Sequence, residues 1–325
     1  MPEFPRPTVV ISRCIDFDSC RYNGQVIRAS LREELEPHVQ LEPICPELEV
    51  GLGVPRDPVR IVVAAGGERL VQPSTGRDLT ASMRAFAHRY LGTVREADGF
   101  ILKSRSPSCA VLDARRYRGG DAQAPAGTGP GLFAATVRER FPHAAIEDES
   151  RLNDLRLREH FLTKLFALAA LRAVAATGLI TELAGFHARN KLLLMAYSQT
   201  RMRALGEIVE NPGRAGFMDV ARSYREQLAA ALGRPARVPA NVNVLMHALG
   251  HCSQQLSAAE KTHFLDLLEG YRHSRLPLSA LQSVLSSWAA RLGVQYLAGQ
   301  TFFAPFPAAL VRLAPVANEL RRAPL

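Results

Sequence analysis

The 325-residue chain has no long uninterrupted apolar run, an odd number of cysteines and, in its second half, few carboxylates. Each scarcity excludes something. The most apolar helical stretch, residues 161–180, is broken by Lys164 and Arg172, so no membrane span is expected. The start, MPEFPRPTVV, lacks the basic-then-apolar pattern of a secretion signal. Five cysteines (Cys14, Cys20, Cys45, Cys109 and Cys252) in a chain long enough to bury its own core do not read as a disulfide framework, and a cytoplasmic home is expected. No internal repeat is visible.

The missing carboxylates leave a divided charge. Residues 1–150 carry 19 Lys+Arg against 20 Asp+Glu, whereas residues 151–325 carry 21 against 11. A domain so basic attracts polyanions, nucleic acid first and anionic membrane surfaces second, although an Arg-rich solvated surface has the same composition. The near-neutral first half is a poor docking surface alone, so the second half is expected to supply phosphate contacts.

The hydrophobic pattern divides at the same place. In the first half, short apolar runs at 8–12, 59–63 and 99–103 alternate with helical stretches at 30–40 and 78–97, which predicts an α/β domain over 1–150 with a parallel, Rossmann-like sheet. The Gly/Pro/Ala stretch 115–130 reads as a mobile loop. From about residue 150 the period is helical, with helices expected at 152–176, 180–210, 218–232, 241–249, 258–274 and 279–291. Residues 151–325 should form an all-α domain.

Within this frame three cysteines stand beside turn-forming residues: Cys14 in SRCIDF, Cys45 in PICPE and Cys109 in SRSPSC. Cys14 and Cys109 follow predicted strands, and Cys45 follows the plausible strand end Leu41–Ile44. Ligands gather at the carboxyl ends of strands in open α/β sheets, so the three thiols are expected to converge. Thiolates so placed suit a soft metal or an iron-sulfur cluster; any one alone reads as a core filler. Cys20 is either a fourth ligand or a spare thiol. His247 and His251, at i,i+4 beside Cys252, lack the Glu of a metalloprotease motif and read as packing or RNA contact rather than a metal site.

The segments Cys14-Ile15, Arg21-Tyr22-Asn23-Gly24, Pro43-Ile44-Cys45-Pro46-Glu47 and Leu102-Lys103-Ser104-Arg105-Ser106-Pro107-Ser108-Cys109 resemble the signature of TudS-type thiouracil desulfidases. Phe186-His187, the run Lys191–Ser198 and Asn243–His247 resemble the helical domain found with that module in RudS-type tRNA 4-thiouridine desulfidases. The resemblance implies a [4Fe-4S] cluster held by Cys14, Cys45 and Cys109 with one iron open, and catalytic roles for Glu47 and Ser106. It implies non-redox replacement of a thiocarbonyl sulfur by water oxygen. Where the family often reads Cys-Leu-x-Gly, this chain has Cys14-Ile15-Asp16-Phe17, so Asp16 and Phe17 are expected to narrow or recharge the pocket.

The reading is a tRNA 4-thiouridine desulfidase with a catalytic first domain and a basic RNA-binding second one. Candidate RNA contacts are Arg151, Arg156 and Arg158 at the junction, and His187, Lys191, Arg201 and Arg203 in the helical half, with His187 and Lys191 on one helix face. Two alternatives stand beside it. One is a desulfidase of free thiouracil-type bases; the other is a non-catalytic RNA-binding protein with a closed zinc site.

Overall fold

The computed structural model describes residues 3–64, 66–118, 124–210, 213 and 216–312. Residues 6–161 form one compact unit, and the described residues from Leu162 onward, with residues 3–5, form the other.

The first unit is built on strands whose sequences are apolar on both faces. β1 (Thr8–Ser12) has Val9, Val10 and Ile11 wholly buried, and a run of that kind fits the middle of a parallel sheet covered on both sides. After α1 (Leu31–Leu35) the chain enters β2 (Gln40–Ile44) and the single turn α2 (Pro46–Glu49). Then come β3 (Arg60–Ala64), β4 (Gly67–Gln72), β5 (Arg77–Asp78), α3 (Thr80–Thr93) and β6 (Gly99–Leu102). The unit continues through β7 (Ala114–Arg118), β8 (Ala124–Gly129), α4 (Leu132–Arg140) and β9 (Ala145–Asp148). Strands β2-β1-β6-β9 make an all-parallel sheet, so their carboxyl ends share one edge. Phe86 of α3 and Phe133 of α4 stack beside Tyr90, and the core around them continues through Val10, Phe100 and Leu102.

A second sheet, β5-β4-β3-β7-β8, departs from the expected organisation. The run at 59–63 belongs here rather than with β1. The stretch 115–130, expected as a loop, forms the antiparallel pair β7–β8; residues 119–123 lie outside the described ones. Its side chains alternate poorly because β8, APAGTG, has little to bury, and backbone hydrogen bonds carry the pairing. The helix expected at 30–40 stops at Leu35, ahead of Pro37, and by Gln40 the chain is strand.

The helical half follows from α5 (Leu155–Thr177) through α6 (Ile180–Arg189), α7 (Lys191–Tyr197), α8 (Gln199–Glu210), α9 (Phe217–Ala231), α10 (Val238–Cys252), α11 (Ala258–Arg272), α12 (Leu278–Leu292) and α13 (Gln295–Ala298). By length and composition α5 could cross a membrane, but 56% of its apolar window is buried inside the protein. One core gathers Leu183, Phe186, Leu205, Tyr224 and Leu228; another gathers Leu245, Phe264, Leu285 and Trp288.

The single helix expected over 180–210 is three. The first break is at Asn190, where buried Gln300 replaces the lost helical bonds: its Nε2 donates to the Ala188 carbonyl at 2.9 Å, and its Oε1 accepts from the Leu192 N–H at 3.0 Å. Ser198, in extended backbone, makes the second. His187 and Lys191 therefore sit on different helices, and the expected shared face does not exist.

Burial lowers the Lys164 ammonium on α5 to about 8. The unfolded chain then binds more protons between about pH 8 and 10, so stability should rise with pH through that window. Lys164→Met should remove this slope and stabilise the protein at pH 7 by about 1–3 kcal/mol. Urea midpoints at pH 7 and pH 10 check both.

Candidate active site

The parallel sheet delivers one chemical group from each strand end to a common cavity of about 640 Å³. β1 ends before Cys14, β2 before Cys45, β6 before the turn carrying Ser106 and Cys109, and β9 before Glu149, and all of these side chains line the cavity. Cys20 lines it too. The convergence expected for Cys14, Cys45 and Cys109 is thus present, together with Glu47 and Ser106.

The turn carrying Cys109 is held by α4. The first N–H groups of a helix have no internal partner, and here Leu132 donates to the Pro107 carbonyl at 3.0 Å while Phe133 and Ala134 donate to that of Ser108 at 3.0 and 3.1 Å. This approach requires glycine at 131, since a Cβ there would stand 2.5 Å from the Ser108 carbonyl. Within the turn, the Ser106 hydroxyl accepts from the backbone N–H of Ser108 at 3.2 Å and of Cys109 at 3.0 Å. Arg105, preceding it, adopts a left-handed conformation, φ 59°, and its N–H donates to Asp113 at 2.7 Å.

Glu47, almost fully buried, is the hub. Arg56 Nε donates to its Oε2 at 3.1 Å, with Nη2 on the same oxygen, and the Ser108 hydroxyl donates to Oε1 at 2.9 Å. Ser106 reaches the same Oε1 more loosely, at 3.5 Å. Arg56 Nη1 also donates to the carbonyls of Cys20 and Gly53, each at 3.0 Å. The sequence reading gives Arg56 and Ser108 no site role, although both lie within segments that resemble the family signature, Pro55-Arg56 and residues 102–109.

Three of the cavity thiols, Cys20, Cys45 and Cys109, are in an environment that favours their protonated form. A hydrogen bond with Cys14, then burial, pushes Cys20 up to about 11, against a lowering contact with Cys45. Cys45 is pushed up by Cys20 and by burial, and the Leu48 N–H opposes this; burial pushes Cys109 up, with Ser12 and Ser106 opposing. A metal that displaces the protons gains soft donors already gathered. Thiol sulfurs gathered in one cavity are the donors that iron-sulfur clusters and other soft metals take.

Lys103 and Glu149 pair on another wall, where Ser104 donates to Glu149 from both its N–H and its hydroxyl, each at 2.8 Å. Beyond Arg56 and Lys103, the lining includes Arg13, Arg21, Arg60, Arg105 and Arg115, while Glu47 and Glu149 are its carboxylates among the described residues. Tyr22 and Tyr117 also line it, with Arg60 over the Tyr117 ring at 5.0 Å. The cavity wall is strongly cationic although the first half as a whole is near neutral.

Other expected residues are used differently. The Asp16 carboxylate is spent at the N-terminus of α1, accepting from Ala29 at 2.7 Å and Leu31 at 2.8 Å, and Phe17 lies under Arg32 at 4.6 Å. Neither lines the cavity. Arg158 is buried and paired with Glu34 at 2.7 Å, which withdraws it from any surface contact with RNA. His187 is half-buried against the Tyr224 hydroxyl at 3.1 Å, and Arg201 is bonded to Gln227 at 2.7 Å. Arg156, Lys191 and Arg203 are exposed, as is Arg151, which pairs with Glu147 at 2.7 Å.

With thiols, carboxylate and cations in one cavity, the comparison with known proteins is specific. Residues 9–149 match the family described as 2-thiouracil desulfurase. This segment is a 2-thiouracil desulfurase domain. Residues 191–307 match a second family, a protein of unknown function (DUF1722), so the chain joins two domains. It is 29% identical over 158 residues to the uncharacterized protein YbgA of Escherichia coli, covering 48% of this chain and 94% of that protein. It is also 29% identical over 154 residues to the uncharacterized protein YbbK of Bacillus subtilis, covering 45% of this chain and 99% of that one. No solved structure matches the chain.

Gly131→Ala in the desulfurase domain should cost about 1–3 kcal/mol, because backbone rather than a yielding side chain stands in the way. It should also loosen the Cys109 turn. A lowered denaturation midpoint, together with faster labelling of Cys109 by a thiol reagent in the native protein, is the expected result.

Proposed function

We propose that the protein removes sulfur from 4-thiouridine in tRNA, replacing the thiocarbonyl sulfur with water oxygen and releasing sulfide. One observation carries this reading. The buried carboxylate of Glu47 and the hydroxyl of Ser106 open onto the same cavity as Cys14, Cys45 and Cys109, and that cavity is walled by arginines and two tyrosines.

Cys14, Cys45 and Cys109 would hold a [4Fe-4S] cluster. Bound there with one iron free of protein thiolate, it would supply a Lewis acid that polarises the carbon–sulfur bond. The remaining work falls to this chain's side chains. Glu47 takes a proton from the water that adds to the ring carbon, and Arg56 and Ser108 fix the carboxylate for that transfer. Ser106, bonded to Glu47, passes or steadies a proton at the ring nitrogen. The balance is one water consumed and one hydrogen sulfide released, with no external electron donor.

The cavity wall supports an RNA substrate. A free thiouracil is small and neutral and needs no cluster of arginines, whereas a base within an RNA brings phosphates. Arg105 and Arg115, both exposed, meet such phosphates, and the tyrosine rings offer stacking faces for an unpaired base. Arg156 at the junction, and Lys191 and Arg203 in the helical half, are candidates for outlying backbone contacts.

The test is oxygen-free reconstitution followed by incubation with thiolated tRNA, reading the loss of thiouridine absorbance together with sulfide release. Glu47→Gln should lose ~10²–10⁴-fold in turnover while keeping its iron, and Cys45→Ala should lose both. Iron assays run beside the rate measurement separate the two. Arg115→Ala should weaken tRNA binding and reduce its salt slope by about one counterion without a comparable loss on free thiouracil. Equal turnover of free base and tRNA by the wild type would favour the free-base reading.

A further inference from the structure

We propose that His247, His251 and Tyr296 form a ledge in the helical half on which an unpaired base of the RNA stacks. This rests on the RNA reading above and adds to it a contact far in sequence from the thiol cavity. On α10, Asn243, His247 and His251 follow at i, i+4 and i+8, so they share one helix face, and all three are exposed. The rest of the helix is spent on the core, where Val244, Leu245, Ala248 and Cys252 are wholly buried. The two imidazoles meet edge to face with ring centroids 5.1 Å apart, and the Tyr296 ring of α13 lies 4.8 Å from that of His251 at a tilt of 40°. Wholly buried Leu297 anchors α13 and leaves the Tyr296 ring 38% exposed.

The surroundings select the occupant. The solvent face of a surface helix ordinarily carries charged side chains, yet residues 238–259 contain no Asp, Glu, Lys or Arg. Carboxylates are absent throughout 227–259 and 270–312, the stretches that supply α10 and α13, so neither stretch repels a phosphate. Arg234 and Arg237 stand exposed just ahead of α10. Tyrosine and histidine rings stack on the faces of splayed bases, and an amide such as that of Asn243 meets the polar edge of a base. A cation-rich, carboxylate-free surface that presents aromatic rings and an amide thus matches single-stranded nucleic acid in each respect.

The experiment titrates the reconstituted full chain with a single-stranded uridine oligonucleotide carrying one 2-aminopurine, whose fluorescence falls when that base stacks. Tyr296→Ala and His251→Ala should each bind roughly 5- to 150-fold more weakly and quench less. Their salt slope should match that of the wild type, because no phosphate contact is lost. Tyr296→Phe should bind as the wild type does, since the ring rather than the hydroxyl carries the contact. Turnover of free thiouracil should be equal in all of these proteins, because neither side chain lines the thiol cavity.

Unchanged affinity and quenching in Tyr296→Ala and His251→Ala overturn the ledge and leave the RNA reading in place. Weaker binding with a lowered salt slope and undiminished quenching overturns it too, since the residues then serve the phosphate backbone. So does Tyr296→Phe binding as weakly as Tyr296→Ala. Zinc held by the wild type and lost from His247→Ala, with RNA affinity the same in both, assigns the imidazoles to a metal instead. A wild type that binds neither this oligonucleotide nor thiolated tRNA removes the RNA reading and the ledge with it, a result evident before any variant is compared.

Discussion

One buried carboxylate knits the site together. Glu47 sits two residues after Cys45, receives the Ser108 hydroxyl from the turn that carries Cys109, and receives Arg56, whose third nitrogen holds the carbonyl of Cys20. Cysteine segments that lie far apart in the sequence are thus tied through a few polar contacts at the carboxyl edge of one parallel sheet. Removing either partner of a buried ion pair leaves the other charge without compensation, commonly at about 3–5 kcal/mol. The group proposed as the base is also a fastening of the local structure, so on that proposal stability and turnover are coupled at Glu47.

The scaffold beneath that knot follows from ordinary rules. Strands apolar on both faces, such as VVI at 9–11 and GFIL at 99–102, stack in parallel, and parallel strands place all their outgoing loops on one side. The helix α4 then uses its first amide groups to hold the carbonyls of the Cys109 turn. Those amides are consumed structurally and are not offered to a ligand. Positive charge in the cavity has to come from side chains instead, and arginines from β3, β7 and the segments after β1, α2 and β6 provide it.

Much of this was legible in the residues. Short apolar runs gave the parallel strands, and turn residues beside Cys14, Cys45 and Cys109 marked where the strands end. What stayed hidden depended on partners remote in sequence. Nothing in residues 180–210 announces that Gln300 will bridge the gap at Asn190, so the helical period read straight through it. β8 is strand only because β7 lies beside it, and its Gly and Ala side chains carry no alternation. Asp16 and Phe17, conspicuous as departures from a family pattern, are engaged by α1 and by Arg32. Net charge summed over a domain also concealed the cavity, because acidic residues elsewhere cancel arginines gathered on one wall.

Arg105 shows how that wall constrains the chain. A side chain other than glycine in the left-handed region costs roughly 1–2 kcal/mol, and the bond from its N–H to Asp113 holds it there. Glycine would adopt the same conformation without that strain, but it would remove a cation from the cavity mouth. The turn is therefore not tuned for maximum stability, and a search for thermally hardier variants would select glycine at this position. Hardiness gained in that way would come at the expense of positive charge in the cavity.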